Sequence, residues 1–542
     1  MKKKICIAVL LLLNISAFSQ EFTRADTLRG SITPQRAWFD VTYYDLKVTV
    51  NPTEKTINGS NIISYKVLEP NEVMQIDLQA PMKIDKIIQD GNEISFTSEG
   101  NAHFLKLQKK QQKGNNEKIT IYFSGKPIVA KRPPWDGGFT WTKDSNGKDF
   151  IATSNEGIGS SVWWPLKDHP SDEPDNGITI SVTAPKDLMD VSNGRLKEVI
   201  ENENTKTWVW QVVNPINAYG VDINIGDYVY WGEKYKGEKG ILDMDYYVLR
   251  ENETKAKEQF KQAPMMMKAF EHWFGPYPFY EDGYKLIEAP YLGMEHQSSV
   301  TYGNKFENGY LGRDLSATGW GMKFDFIIIH ESGHEWFANS ITNKDVADMW
   351  VHEGFTNYSE NLYVDYYFGK KASSEYVIGT RKKILNDRPI IGKYNVDNSG
   401  SSDMYYKGGN MLHMIRQLIE DDEKWRQILR GLNKEFYHQT VTTKQVEDFI
   451  SEKSGIDLTE FFNQYLRTTM VPKVEYSFNK NLLKYRYTDI VKNFAMPIIA
   501  IINDKEEWIQ PTSEWQQKEF PSTIETIEIK KDFYVNSEEV KK

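Results

Sequence analysis

The chain has 542 residues and a formal charge of −10, with 39% hydrophobic, 26% charged and 13% aromatic residues. This composition is typical of a globular protein of two to four domains and excludes disordered, fibrous and membrane-embedded classes. The excess of acidic residues argues against nucleic acid or another polyanion as a partner.

Residues 1–19 have the pattern of a signal peptide. A basic cluster at 2–4 precedes an apolar stretch at 5–13, and a small-x-small cleavage site follows at 17–19. We therefore expect an exported protein, periplasmic or secreted, whose mature chain starts near Gln20. No stretch is long enough to predict a transmembrane segment. The single cysteine, Cys6, lies in the leader, so we expect neither disulfides nor cysteine metal ligands.

The periodicity of the remaining chain predicts a multidomain α+β fold. Short alternating segments predict an N-terminal β domain over 20–235, and a Gly/Lys-rich stretch at 232–240 indicates its boundary. Helical patterns, starting with a helix predicted over 254–274, define a mainly helical domain over 236–470. Alternation then returns and predicts a small C-terminal β module over 471–542.

A metal motif lies in the helical domain. His330 and His334 are four residues apart in a segment of helical periodicity, which places both imidazoles on one face, about 6 Å apart along the axis. Both can bind one zinc ion, and Glu331 can reach a water beside the metal without binding it. A chance match to this motif occurs about 0.01 times in a chain of this length and composition, so a merely structural helix is the weaker interpretation.

Hydrolytic zinc sites use three protein ligands and leave one position open. Glu353 follows His334 by 19 residues on a second predicted helix at 349–366, and it is the candidate third ligand. The extended three-histidine motif would require glycine in place of Phe337 and histidine in place of Ser340. We therefore predict one Zn²⁺ per chain, bound by two histidines and a carboxylate.

These motifs resemble those of the gluzincin aminopeptidases of the aminopeptidase N type, a family that includes the leukotriene hydrolase. Residues 350–355, WVHEGF, resemble the family's W-x-N-E-G-F, and residues 292–296, LGMEH, resemble its G-x-M-E-N. Leu292 replaces a glycine, and His296 and His352 replace asparagines. The resemblance implies an N-terminal β-sandwich or saddle domain and a thermolysin-like catalytic domain. The large C-terminal helical domain of most relatives has no counterpart here.

The resemblance also implies roles for single residues. Residues 405–408, YYKG, resemble Y-x-K-G, which assigns the catalytic tyrosine to Tyr405 rather than Tyr406. The segment 153–174 resembles the stretch through the family's F-P-C-x-D-E-P and places Glu156 where relatives contact the substrate amine. In the short segment 293–295, Glu295 would pair with a free α-ammonium, beside Gly293 and Met294.

Together these observations predict an exported zinc aminopeptidase acting on peptides with a free N-terminus, with Glu331 as general base. A zinc endopeptidase is the alternative within the same chemistry, and Glu295 argues against it. A non-catalytic peptide-binding module is the alternative from another class, and the intact zinc motif argues against that. We interpret His296 and His352 as packing or supporting residues and Glu360 as a candidate to orient a ligand histidine.

Overall fold

The computed structural model describes residues 21–540, so the predicted leader lies outside the described residues. Within this range no helix is long and apolar enough to cross a membrane. The α-helices, in chain order, are Arg24–Gly30, Pro34–Ala37, Glu253–Gln259, Gln262–Phe274, Phe326–Gly333, Trp350–Phe368, Lys370–Thr380, Tyr406–Ile419, Asp422–Glu435, Thr443–Ser454 and Thr459–Arg467.

The N-terminal part is built from β-strands around its own core. Phe39–Asn51 alternates between buried and more exposed residues, as expected for a strand with one face on a core. It pairs in parallel with Ile178–Pro185 and antiparallel with Thr56–Val67. The large sheet runs in the order Arg195–Glu201, Thr205–Val212, Ile178–Pro185, Phe39–Asn51, Thr56–Val67, Asn116–Gly125, Lys83–Gln89 and Asn92–Glu93.

Two smaller sheets complete this part. One runs Met189–Val191, Asn224–Gly226, Asp149–Ser154 and Gly138–Lys143, and the other Val73–Asp77, Ala102–Lys106 and Phe96–Glu99. The strand Asp149–Ser154 ends two residues before Glu156, so the smaller sheet positions the loop that carries this residue.

The helical part packs against a mixed sheet that runs Tyr228–Gly237, Gly240–Leu249, Tyr284–Glu288, Val300–Tyr302 and Gly293–Met294. The first two strands form a hairpin that turns at 238–239. The Gly/Lys-rich stretch at 232–240 is therefore a hairpin and not a linker, because the same residue types favour tight turns and linkers alike. The limits of the domains themselves stay a prediction.

The single helix predicted over 254–274 is interrupted. Glu253–Gln259 and Gln262–Phe274 are separate helices joined by a turn. Pro264 lies in the first turn of the second helix, where its missing N–H is tolerated, whereas the interior of one long helix would lose a hydrogen bond there.

The C-terminal part contains two small sheets, in agreement with the predicted β content. One runs Gln516–Glu519, Leu482–Thr488, Lys473–Asn479 and Asn536–Glu539, and the other Lys505–Ile509, Ile498–Ile502 and Ile527–Ile529. Its apolar residues belong to the same buried cluster as those of the helical part. The two parts consequently share one core. A short parallel pair, Ile341–Asn343 with Gln439–Val441, links the loop between the two metal-ligand helices to the later helices.

Candidate metal centre and active site

The predicted metal ligands come together at two helices. We call Phe326–Gly333, which His334 directly follows, the histidine helix, and Trp350–Phe368 the glutamate helix. The side chain of Asp325 caps the histidine helix by accepting hydrogen bonds from the N–H groups of residues 327 and 328. Glu353 Oε2 lies 3.6 Å from His330 Nε2 and 3.4 Å from His334 Nε2.

These distances fit a zinc ion. Ligand atoms at 2.0–2.2 Å from tetrahedral zinc lie about 3.3 to 3.6 Å apart. Glu353 Oε2 is buried and accepts no hydrogen bond from any residue in the described range. Burial opposes ionisation of Glu353, but the adjacent His334 and His330 lower its pKa below the ordinary value. A buried carboxylate oxygen without a donor, facing two imidazoles, is suited to a cation.

Both histidines are oriented through their second ring nitrogen. His330 Nδ1 lies 2.8 Å from Glu360 Oε1, and His334 Nδ1 lies 3.0 Å from the carbonyl oxygen of Phe337. Glu360 in turn accepts a hydrogen bond of 2.6 Å from the hydroxyl of Tyr376. When Nδ1–H donates to these acceptors, Nε2 of each ring is left with its lone pair toward the metal position.

Glu331 lies beside the metal ligands without joining them in the same triad. It forms a second group with Glu295 and His334, whose ligand atoms lie within 4.8 Å of one another. Burial raises the pKa of Glu331 to about 7, while the charge of His330 opposes the rise. A Cβ on Gly293 would lie 2.6 Å from Ile327 and 3.1 Å from Glu331, so only glycine lets this strand approach the histidine helix.

Three carboxylates converge on one side of the metal position. Oxygen atoms of Glu156, Glu295 and Glu353 all lie within 4.8 Å of one another. Burial raises the pKa of Glu156 and of Glu295, and the neighbouring carboxylates raise that of Glu156 further. Met294 is buried next to Glu295 and lines the same cleft. Such a concentration of like charges is unfavourable unless a cation compensates it.

Glu295 is held by two residues that sequence reasoning missed. The hydroxyl of Tyr219 donates to Glu295 Oε1 over 3.1 Å, and Asn339 Nδ2 donates to the Glu295 carbonyl over 2.8 Å. Tyr219 belongs to the β-rich part and comes into the site only through the contact between the two parts. No local pattern in the sequence signals such a contact.

His296 and His352 lie outside the metal triad. His352 Nε2 accepts a hydrogen bond of 2.8 Å from the backbone N–H of Asn343, and its ring lies against Tyr219. His296 Nδ1 lies 3.5 Å from Asp222 Oδ2. Burial lowers the pKa of each histidine to about 3. Both are thus buried neutral rings that support the site's walls.

Tyr405 precedes the helix Tyr406–Ile419, which we call the tyrosine helix. Its ring lies parallel to that of His330, with centroids 6.1 Å apart. Burial and then the charge of Glu353 raise the pKa of Tyr405 well above its ordinary value. Tyr406 also lines the cleft, but its ring lies against the ammonium of Lys383, 5.8 Å from the centroid.

These residues share one cleft of about 590 Å³. Its walls come from both parts of the chain and from the loop at 392–400. The residues that line it include Trp135, Glu156, Leu292, Gly293, Met294, Glu295, Tyr310, Phe326, His330, Glu331, His334, Glu353, Lys383, Asp397, Tyr405 and Tyr406. The predicted site residues therefore lie around a single space, and their individual roles stay predictions.

Comparison with protein families identifies two matching domains. The model of the peptidase family M1 domain matches residues 258–465, and that of the peptidase M1 N-terminal domain matches residues 41–219. Among curated relatives, probable aminopeptidase 1 of Sulfurisphaera tokodaii is 20% identical over 86% of this chain and 59% of its own length. Aminopeptidase N of Lactobacillus helveticus is 24% identical over 80% of this chain and 52% of its own length.

Leukotriene A-4 hydrolase of Xenopus laevis is 22% identical over 82% of this chain and 74% of its own length. The chain thus spans about half to three quarters of the length of these relatives. The crystal structure of an M1 zinc metallopeptidase from Deinococcus radiodurans superposes with a TM-score of 0.67 at 20% identity, covering 82% of this chain and 97% of that one. This likeness shows the shared fold. Both domain models, together with the zinc motif and the fold, establish that the chain belongs to peptidase family M1.

Proposed function

We propose that this protein is a zinc aminopeptidase that removes N-terminal residues from peptides. One observation carries the proposal: Glu156 of the β-rich part and Glu295 of the helical part converge within 4.8 Å of each other and of Glu353. Zinc compensates the charge of Glu353, and a peptide's α-ammonium compensates that of Glu156 and Glu295, whereas an internal peptide bond carries no charge to do so. The site therefore recognises the start of a chain.

The residues around the metal position have complementary chemistry. When bound by His330, His334 and Glu353, zinc polarises the scissile carbonyl and acidifies water for attack. Glu331 takes the proton of the attacking water and passes it to the leaving amine. Tyr405 carries a phenolic O–H that can donate to the oxyanion formed on the carbonyl. Glu295 and Glu156 fix the first residue, so that only its peptide bond meets these groups.

The relatives support this activity. Two of those above carry aminopeptidase names, and a mutant of the Deinococcus radiodurans metallopeptidase has been crystallised with a Tyr-Ser-Ala substrate. We transfer to this chain the substrate class, peptides with a free N-terminus, because the residues that would bind the amine are present here.

Blocking the amine tests the proposal. N-acetylation of a good peptide removes the positive charge, and kcat/KM should fall about 10- to 150-fold, as expected for a lost charge-assisted contact. Glu295→Gln should lose much of the preference for free over acetylated peptide, and Glu156→Gln should lose less. A chelator should abolish cleavage, and added Zn²⁺ should restore it. Cleavage of the acetylated peptide at an internal bond, as fast as the free peptide loses its first residue, would establish an endopeptidase instead.

We also propose that the protein is exported, to the periplasm or beyond. The basic cluster, apolar stretch and cleavage site of residues 1–19 support this proposal. N-terminal sequencing of protein from the native host should find a chain that starts near Gln20. A chain that retains the leader and stays in the cytoplasm would contradict it.

A further inference from the structure

One cation stands out in the acidic cleft. Among the described residues that line it, Lys383 is the only lysine or arginine. Its ammonium has no carboxylate partner within 4.0 Å in the described part of the chain. The other charged side chains that line the cleft are carboxylates or metal-ligand histidines. A half-buried lysine in such surroundings can compensate the charge of an incoming anion.

Lys383 lines the same cleft as the amine-binding acids. Glu295 forms a group with His334, and Glu156 with Glu353. Lys383 lies against Tyr406, next to Tyr405, whose ring faces His330. One cleft therefore holds carboxylates grouped with the metal ligands and an ammonium beside the tyrosines.

The turn that carries Lys383 is firmly held. It is the short helical turn Arg381–Lys383. The guanidinium of Arg381 donates to Asn410 Oδ1 over 2.6 Å and to the Asp532 carbonyl over 3.0 Å, and it also reaches the carbonyl of Lys531. Arg381 therefore joins this turn to both the tyrosine helix and the C-terminal part. Lys383 has a fixed attachment point, and only its side chain has to adapt to a ligand.

We propose that Lys383 forms a subsite for a substrate carboxylate, namely the C-terminal carboxylate of a short peptide. This inference rests on the proposed aminopeptidase function and deepens it. A short peptide carries an ammonium at one end and a carboxylate at the other, and the cleft offers carboxylates for the first and an ammonium for the second. The side chain of Asp or Glu after the scissile bond is a second source of the same chemistry.

Paired peptides test the subsite. Hydrolysis of di-, tri- and tetra-alanine is compared with that of their C-terminal amides, at low and high salt. For at least one length, wild type should prefer the acid about two- to fivefold in kcat/KM, and the preference should shrink as salt rises. A second pair, Ala-Glu-Ala-amide and Ala-Gln-Ala-amide, reports binding of a side-chain carboxylate.

Three variants assign the effect to the residue. Lys383→Met should bring the acid-to-amide ratio close to one, and Lys383→Arg, which keeps the charge, should retain most of the preference. Lys382→Met is the matched control, because Lys382 is exposed on the same turn and donates to the Ser316 carbonyl over 3.3 Å. It should leave the ratio unchanged.

The outcomes separate this inference from the proposed function. A ratio that depends on Lys383 in either peptide pair supports the subsite, and the pair identifies the source of the carboxylate. Amides and acids cleaved equally well by wild type, or a preference that survives in Lys383→Met, would overturn the subsite and leave the aminopeptidase intact. No release of N-terminal residues from any peptide would overturn both.

Discussion

At the scale of single residues, we assign Glu353 to metal binding and Glu331 to the chemistry. Oε2 of Glu353 faces both histidine Nε2 atoms and accepts no hydrogen bond among the described residues, whereas Glu331 approaches Glu295 and His334 from the histidine helix. Both lie on helices whose buried faces pack together, so their side chains have little freedom to exchange roles.

These two glutamates should respond differently to truncation. Glu353→Ala removes a ligand and should lose most of the zinc, as measured by elemental analysis of the purified protein. Glu331→Ala should keep its zinc and lose about 10²- to 10⁴-fold in kcat, because a general base is not a ligand. Full zinc occupancy in Glu353→Ala would remove it from the ligand set, and near wild-type activity in Glu331→Ala would require another base.

Adjacent tyrosines offer a matched pair. Tyr405→Phe should lower kcat by about 10²- to 10³-fold with little change in KM, because an oxyanion donor acts mainly in the transition state. Tyr406→Phe should have a small effect, since its ring lies beside Lys383. Steady-state kinetics of both variants decide the register: a large loss in Tyr406→Phe alone would assign the role to Tyr406.

At the scale of elements, a close helix crossing positions Tyr405. The glutamate and tyrosine helices meet at Gly354 and Gly408, where a Cβ on Gly408 would lie 3.0 Å from the Gly354 Cα. Each glycine belongs to a short motif, one containing Glu353 and the other Tyr405. The glycines in both motifs are therefore explained by packing, because a larger residue would separate the ligand from the hydroxyl donor.

We expect Gly408→Ala to push the glutamate helix and the tyrosine helix apart. The added methyl meets backbone, which cannot rotate away, so the tyrosine helix must shift. We expect reduced kcat with zinc content preserved, because the metal ligands lie on the other two helices. Gly431→Ala is a suitable control, since its new Cβ would meet only the ring of Phe449. Unchanged kcat in Gly408→Ala would show that the helix crossing accommodates the added methyl group without moving Tyr405.

At the scale of the whole molecule, the segment at 21–37 joins both large parts. Arg29 donates to Asp397 Oδ2 over 2.7 Å and to the Gly157 carbonyl over 2.7 Å, and both acceptors belong to residues of the cleft wall. Arg36 is fully buried and pairs with Asp77. It also donates to the carbonyls of Arg29 and Ser31 over 2.9 Å, which holds the segment together, while the pair with Asp77 fastens the segment to the β-rich part.

Loss of the Arg36 charge should destabilise the protein. Arg36→Met leaves Asp77 as a buried carboxylate without its partner, at a cost of about 3 to 5 kcal/mol. Thermal unfolding should show a clear drop in Tm, and replacing Asp77 by Leu in the same chain should recover part of it. Arg24→Met is the control, because Arg24 and Glu99 form an exposed pair that contributes little. An unchanged Tm in Arg36→Met would mean that water or another donor replaces the guanidinium.

The periodicity of the sequence predicts those features of the site that depend on the geometry of single helices. The spacing of His330 and His334, and the offset to Glu353, follow from helical repeats, and the structure brings these residues together as expected. Tyr219 and Arg29 reach the cleft from distant parts of the chain, and the periodicity of the sequence does not predict such long-range contacts. The stretch at 232–240 has the composition of a linker but forms a hairpin, because strand pairing is decided by partners outside the segment.

The division between two parts of the acids that we propose bind the amine has a consequence for partial unfolding. Glu156 lies in the β-rich part, whereas the metal ligands and Glu331 all belong to the helical part. Mild denaturant that loosens the contact between these parts would separate the acids before it disturbs the histidines. The protein would then still bind zinc but would no longer recognise the free N-terminus of a peptide. Recognition of the peptide N-terminus, rather than metal binding, is thus the first property that depends on the two parts remaining docked.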